Sequence, residues 1–354
     1  MSLSIIEKYS IKPLNQQAME KAQIRLNSLV KPPGSLGELE TIAIKLAGIC
    51  GETYYDAKKR CVIIMASDNG VVAEGVAAAP QIVTYTQTLN FLKGITGVAV
   101  LAKEFNTDLI VVDVGINGDL EHPQIVNKKI RKSTGNITHE PAMTYDEAIK
   151  AVLVGVEMAV QAVKDGYKMI GVGEMGIGNT TTSSAVLSAL TKIDPKLVTG
   201  KGAGLKEEAY RHKIEVVKAA IEIHQPNPED PVDVLAKVGG LDIGAMAGVF
   251  IGSAHMGIPV VIDGYISMVA ALLAFRINPL VKEYMLASHA SAEPGFAYAA
   301  SSLGIQPCLN LNMRLGEGSG CPLMFNIIDG ACVAIREIVT FEEANVGEEY
   351  LENL

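Results

Sequence analysis

Between Arg314 and Gly320 the chain reads Arg-Leu-Gly-Glu-Gly-Ser-Gly, which sets one carboxylate, Glu317, between glycines. Glycine permits dihedrals closed to other residues and lets a second segment of backbone come close. The carboxylate is left as the long side chain at the tip, beside the apolar run Cys321–Ile328. A Glu positioned in this way can take a proton as a general base. The same heptad also fits a glycine-rich connector with a solvated Glu, because loops are usually exposed. The rest of the chain has to decide between the two.

A second chemistry is written at Gly171-Val-Gly173-Glu-Met-Gly176, which matches G-x-G-x-x-G between an apolar run and a helical pattern. A dinucleotide site would also want an acidic residue about 20 positions on, at the end of a strand. Asp194 stands near that distance, but Pro195 follows it and no apolar strand precedes it. The motif continues through Gly176-Ile177-Gly178-Asn179-Thr180 into further Thr and Ser, and backbone N–H groups with hydroxyls at a helix start form an anion site. A single phosphate fits as well as two, and a plain Gly turn with a Thr/Ser cap is the bland alternative. Thr199-Gly-Lys201-Gly202-Ala-Gly204 is a second glycine cluster before a helix, able to close on the same anion with Lys201 or Lys213; a flexible turn with solvated lysines fits it equally well.

Two further stretches and three separate acids carry polar or pocket-forming residues. Ser288-His-Ala-Ser291-Ala-Glu293 follows an apolar segment. No G-x-S-x-G elbow occurs, so a substrate-lining loop with Ser291 as donor fits better than a hydrolase triad. Glu74-Gly-Val-Ala-Ala-Ala79-Pro80, with Gln87 beyond it, offers small apolar residues for a flat aromatic ring, or is simply a loop before a helix. Asp68, Asp113 and Asp263 each follow an apolar run and are read as turn caps in preference to Mg²⁺ ligands. With neither H-E-x-x-H nor C-x-x-C, no zinc is expected.

The elements that position these residues follow from periodicity. Cys61–Ala66, Leu109–Val112, Met169–Val172 and Val260–Ile262 are continuous apolar runs, as in strands buried on both faces. Helical patterns separate them at Thr84–Phe105, Tyr145–Lys164, Thr180–Leu190 and Leu205–His224. This alternation predicts an α/β fold with a mainly parallel sheet, and ligands in such sheets sit beyond the carboxyl ends of the strands. Leu14–Val30 and Leu36–Ile49 read as an N-terminal helical pair, the second opened by a Ser35/Glu38 capping box. Leu323–Val339 is a C-terminal helix ahead of the acidic segment Glu342–Leu354. The expected division is 1–55 with 322–354 as a small helical domain built from both termini, and 56–321 as the large α/β domain. Ile243–Ile262 lacks charge but carries four glycines and a proline, and reads as buried helix, turn and strand.

The totals bound the partners. The chain has 354 residues, 49% hydrophobic and 19% charged, with net charge −9. An acidic surface argues against nucleic acid and against anionic membrane, so an anionic substrate must be held by local donors. Five scattered cysteines fit reduced thiols in a cytoplasmic protein. Met1-Ser-Leu-Ser lacks a basic region and an apolar core, so no secretion signal is expected.

Taken together, Lys31-Pro-Pro-Gly-Ser-Leu-Gly37, Glu74-Gly-Val76, Thr96-Gly97, Asp113-Val-Gly115, Gly173–Thr181, Val238-Gly-Gly240, Asp263-Gly264, Ser288–Glu293 and Arg314–Gly320 closely resemble one family. It is the nicotinate-nucleotide–dimethylbenzimidazole phosphoribosyltransferase family of cobalamin lower-ligand synthesis, and the likeness runs from about Lys31 to Ile335. The resemblance implies transfer of phosphoribose from nicotinate mononucleotide to an aromatic base, with no cofactor and no metal. It implies a six-stranded Rossmann-like sheet, the terminal helical domain and a homodimer, with a related partner subunit as the alternative. It places Glu317 on the general base and Glu174 on a secondary carboxylate. Gly176, Ile177, Gly178, Asn179, Thr180, Lys201, Gly202, Lys213, Asp263 and Ser291 fall on the nucleotide side. Ala79, Pro80, Gln87, Met175 and Leu315 fall on the aromatic side. Asn69 and Ala79 depart from the family's pattern, and both are expected near the aromatic substrate. Phenolic acceptors, an NAD-dependent oxidoreductase resting on Gly171–Gly176, and a non-catalytic paralogue are the competing readings.

Overall fold

The structure is a computed structural model and describes residues 3–347. Seven strands form one sheet: β1 (Arg60–Ser67), β2 (Asp108–Gly115), β3 (Ile125–Asn127), β4 (Met169–Met175), β5 (Val260–Ile262), β6 (Met285–His289) and β7 (Pro307–Leu309). Their order is β3-β2-β1-β4-β5-β6-β7, and every neighbouring pair is parallel. The chain builds outward from β1 to β3, then returns to the other side of β1 with β4. That reversal between β1 and β4 opens a crevice at the carboxyl ends of the strands, where ligands bind in open α/β sheets.

Strand β1 shows why the sheet is buried on both sides. Successive side chains of a strand point to opposite faces. Cys61, Ile63 and Met65 enter one apolar core, while Val62, Ile64 and Ala66 enter another. The first core is roofed by the helices Tyr145–Lys164 and Leu241–His255. These two backbones touch: a Cβ at Gly155 would lie 1.8 Å from the Ala245 carbonyl oxygen, and one at Gly248 1.9 Å from that of Val152. Thus Ile243–Ile262 is helix, turn and strand, as its glycines predict.

The second core is covered by helices from both ends of the chain, Gln16–Asn27, Glu38–Cys50 and Gly320–Glu337. Arg25 fastens them, its Nε donating to the Ile335 carbonyl (3.2 Å) and its Nη2 to that of Ile338 (2.8 Å). Their apolar faces are continuous with Val62, Ile64 and Val261 of the sheet. Residues 348–354 of the acidic segment lie outside the described residues.

Several expectations change. The sheet has seven strands, because three-residue edge strands such as β3 and β7 leave too short a pattern to read. The helix expected over Thr84–Phe105 is two, Ile82–Leu92 and Gly97–Glu104. Gly94, at φ +72°, ends the first, and the Thr96 hydroxyl caps the second by accepting from the Ala99 N–H. The Ser35/Glu38 capping box does not form: Gly37 occupies the cap at φ +54°, and Glu40 instead accepts from the Leu36 N–H and pairs with Lys31 at 2.9 Å.

Candidate active site

The cleft beyond β4, β5 and β6 has a volume of about 300 Å³. Its floor is the turn Gly176-Ile177-Gly178, which carries the chain from β4 into the helix Asn179–Thr191. Gly178 sits at φ +93° as that helix's N-cap residue, a conformation glycine adopts without strain. The Ile177 N–H donates to the Thr84 hydroxyl (3.0 Å), and this holds the turn against the helix Ile82–Leu92.

Glu317 hangs over the cleft from the loop ahead of the helix Gly320–Glu337. Its backbone is left-handed, φ +64°, between Gly316 and Gly318, which also have positive φ. The loop keeps this form because two carboxylates accept its amides. Glu174 Oε1 takes the Glu317 N–H (3.1 Å), while Asp263 takes those of Gly318 (3.0 Å) and Gly320 (2.7 Å). The loop presses directly on β4, where a Cβ at Gly173 would lie 2.5 Å from the Glu317 carbonyl oxygen. The Glu317 side chain is buried yet held by donors on both oxygens. Gln87 Nε2 donates to Oε1 (2.7 Å), and the Val98 N–H, in the first turn of Gly97–Glu104, donates to Oε2 (3.2 Å).

Beneath the turn lies a second set of acids. Asn179 Nδ2 bridges Glu174 Oε2 and Asp242 Oδ2, the latter at 3.0 Å. Burial pushes Glu174, Asp242 and Asp263 each up to about 7, against the pull of the hydrogen bonds they accept. The two neighbouring carboxylates are held differently. Glu317 faces the cleft with donors on both oxygens, and Glu174 braces its backbone from below.

At the far end, Lys213 is fully buried, and its Nζ donates to the Thr180 hydroxyl (2.7 Å). Burial lowers it to about 8, with the Glu293 carboxylate acting in the opposite direction. Lys201 and Gly202 line the same end, Gly202 at φ +55°; Lys201 points outward and pairs with Glu207 at 3.0 Å. A buried ammonium, a hydroxyl and a helix N-terminus facing one cavity suit a phosphate.

Of the residues singled out in the sequence, Glu317, Glu174, Gly176, Ile177, Gly178, Asn179, Thr180, Lys201, Gly202, Lys213, Asp263, Ser291, Ala79, Gln87, Met175 and Leu315 all line this one cleft. Pro80 does not: it is exposed in the turn before Ile82–Leu92, where its carbonyl accepts the Val83 N–H. Asn69 does not line the cleft either. It is fully buried behind the glycine turn, with its Oδ1 accepting from the Thr182 hydroxyl (3.4 Å). His289 lines the cleft, but burial lowers it to about 4 and its Nδ1 lies 3.1 Å from the Ser288 hydroxyl.

The sequence motifs include Glu293 and Arg314 but give them no role, and they leave out Asp242 and the Val98 N–H. Asp242 is the one acid at the head of the uncharged stretch Ile243–Ile262, a signal that was available. The Val98 amide carries no side-chain signature at all.

A family model described as phosphoribosyltransferase matches residues 11–346. A nicotinate-nucleotide–dimethylbenzimidazole phosphoribosyltransferase of Clostridium perfringens is 54% identical over 97% of this chain and 95% of its own length. One of the same name from Clostridium tetani is 48% identical over 95% and 93%. The crystal structure of CobT from Thermus thermophilus superposes with a TM-score of 0.90 at 38% identity, covering 94% of this chain and 99% of that one. On a match that spans nearly its whole length, the chain belongs to the nicotinate-nucleotide–dimethylbenzimidazole phosphoribosyltransferase family.

Proposed function

We propose that this protein moves 5-phosphoribose from nicotinate mononucleotide to an aromatic base, 5,6-dimethylbenzimidazole or a close relative, releasing nicotinate and an α-linked ribotide for the cobalamin lower ligand. One observation carries the reading: a single cleft holds the Glu317 carboxylate at one end and the buried Lys213–Thr180 pair at the other.

The reaction follows from the substrate's chemistry. Nicotinate on ribose is a cationic pyridinium and a good leaving group, so the protein must chiefly supply position, an anion site and one base. Lys213 Nζ, the Thr180 hydroxyl and the turn Gly176–Gly178 receive the phosphate, with Gly202 closing over it. Asp263 and Ser291 face the ribose, and Lys201 stands at the rim. The base lies against Ala79, Met175, Leu315 and the aliphatic part of Gln87. Its nitrogen attacks C1′ from the face opposite nicotinate and inverts that carbon. The C1′–N bond to nicotinate breaks, and its electron pair neutralises the pyridinium. The alkylated ring now carries an acidic N–H, and Glu317 removes that proton. Glu174 holds the Glu317 loop.

The acceptor is less constrained than the donor, and a phenol would give its O–H proton to the same carboxylate. The glycine turn favours a mononucleotide over the NAD reading, because its anion site ends at one buried ammonium. We also propose a homodimer in the cytoplasm, and a helical unit of 1–55 with 322–354 against 56–321, supported by the Arg25 clasp between the termini. Among the described residues no helix is long and apolar enough to cross a membrane.

The test is a product assay with nicotinate mononucleotide and a panel of dimethylbenzimidazole, benzimidazole, adenine, phenol and p-cresol. Nicotinate is expected only when an acceptor is present. Absence of release with every acceptor would favour a binding paralogue or a required partner subunit.

A further inference from the structure

The Glu317 carboxylate is the end of a chain of side chains that begins at the protein surface. Lys93 Nζ donates to Asn90 Oδ1 (3.3 Å), Asn90 Nδ2 donates to Gln87 Oε1 (3.2 Å), and Gln87 Nε2 donates to Glu317 Oε1 (2.7 Å). Gln87 and Asn90 are three residues apart on the helix Ile82–Leu92, and Lys93 follows at its C-cap, so all three share one face. We infer that Asn90, which does not line the cleft, is a positioning residue for the reaction, acting through Gln87 to hold the general base.

The polarity of this chain is fixed at both ends. An ammonium can only donate and a carboxylate can only accept. Between them each amide has one self-consistent orientation, with its oxygen toward Lys93 and its NH₂ toward Glu317. If Gln87 turned over, its oxygen would face the carboxylate and its NH₂ would face that of Asn90. The carboxylate selects the NH₂ end of Gln87, and Asn90, by donating to the Gln87 oxygen, holds the rotamer that aims that NH₂ at the base. The Val98 N–H fixes the other carboxylate oxygen from rigid backbone. Oε1 depends on a half-buried side chain with rotamer freedom, so it is the oxygen whose position a second residue has to secure. Hydrogen bonds from charged or polarised donors also strengthen one another along a chain.

The inference rests on Glu317 being the base, and the experiment separates the two claims. The variants are Asn90→Ala, Asn90→Asp, Glu317→Gln and the double variant Asn90→Ala/Glu317→Gln, assayed in the full chain with nicotinate mononucleotide and dimethylbenzimidazole. Losing one net hydrogen bond predicts a fall in kcat of about three- to tenfold for Asn90→Ala, with KM for the nucleotide unchanged. Asn90→Asp cannot donate to Gln87, sets a second carboxylate in competition with Glu317 for its NH₂, and is expected to fall further. In the Glu317→Gln background Asn90→Ala should cost nothing more, because its effect runs through the group already removed. Equal losses from Asn90→Ala in both backgrounds, or wild-type kcat for Asn90→Ala and Asn90→Asp, would overturn the positioning role while leaving the base intact. A Glu317→Gln enzyme at full rate would remove the base itself, and the Asn90 role with it. Thermal unfolding of each variant separates these outcomes from a loss of folded protein.

Discussion

The two ends of the cleft are built differently. The proposed phosphate end is assembled from groups fixed on or at the ends of regular elements: Lys213 within a helix, Thr180 at a helix start, Gly176–Gly178 on the exit from β4. Lys213 has no solvent exposure, and Glu293 beside it is buried. The proposed aromatic end is assembled from a loop of small residues, Val76–Ala79, together with Leu315, which is 57% exposed. Moving a buried group on a helix disturbs packing on every side. Moving an exposed side chain on a loop disturbs little. On the proposed assignment the donor half of the reaction rests on the core, while the acceptor half rests on a wall where a substitution disturbs less packing. Glu317 is placed between them, anchored through its backbone to the core and open through its carboxylate to the acceptor.

The largest effect belongs to that junction. Glu317→Gln keeps the shape and removes the base, and kcat should fall on the order of 10²–10⁴-fold. Steady-state rates with saturating nucleotide check it; a fall below about tenfold would mean that solvent takes the proton. Next comes Lys213→Met. Loss of a charged hydrogen bond to phosphate should raise KM for nicotinate mononucleotide by about 10- to 100-fold, with a smaller change in kcat. The free enzyme holds this ammonium at about 8, so nucleotide affinity should be full below that pH and fall as pH rises through it. The variant should lose this limb. An unchanged KM would relocate the phosphate.

How much of this could be read beforehand depended on local or distant cause. The strand runs Cys61–Ala66 and Met169–Val172 are legible because burial on both faces demands continuous apolar residues, and the glycine turn after β4 because its backbone form restricts composition. That the cleft residues were found in scattered blocks reflects the parallel sheet, which brings strand ends together whatever their separation in sequence. Other features had no local mark. The Val98 amide, the Gln87–Glu317 contact and the burial of Asn69 depend on which segments meet. The break at Gly94 went unread because Leu92 and Ile95 continue the apolar period across it.

Deeper than either end, the three raised carboxylates predict a pH dependence of stability. Asp242 has an ordinary value of 3.8 and sits at about 7 in the folded protein. Between those values the folded state binds more protons than the unfolded one, so stability falls as pH rises from about 4 to 7 and stays reduced above. Asp242→Asn removes the charge while its amide oxygen can still accept from Asn179. The variant should gain on the wild type by on the order of 1–3 kcal/mol between about pH 5 and pH 8. Denaturant unfolding at both pH values measures the gap. A constant difference would show that the proton resides elsewhere in the cluster.

The smallest effect tests the open end directly. In the proposed reaction Leu315 covers the base from the loop that carries Glu317; it leans on Gly97, where a Cβ would lie 2.3 Å from its Cδ2. Being more than half exposed, it has limited apolar area left to bury against a ligand, worth about 1 kcal/mol or less. Leu315→Ala should therefore raise the acceptor KM about two- to fivefold and leave that of nicotinate mononucleotide unchanged. The loss should be greater for dimethylbenzimidazole, whose methyl groups add contact area, than for phenol. If the nucleotide KM moves as far as the acceptor KM, the two ends are mechanically joined through the Arg314–Gly320 loop. If only the acceptor responds, substitutions on this wall can change the base without disturbing the phosphate end.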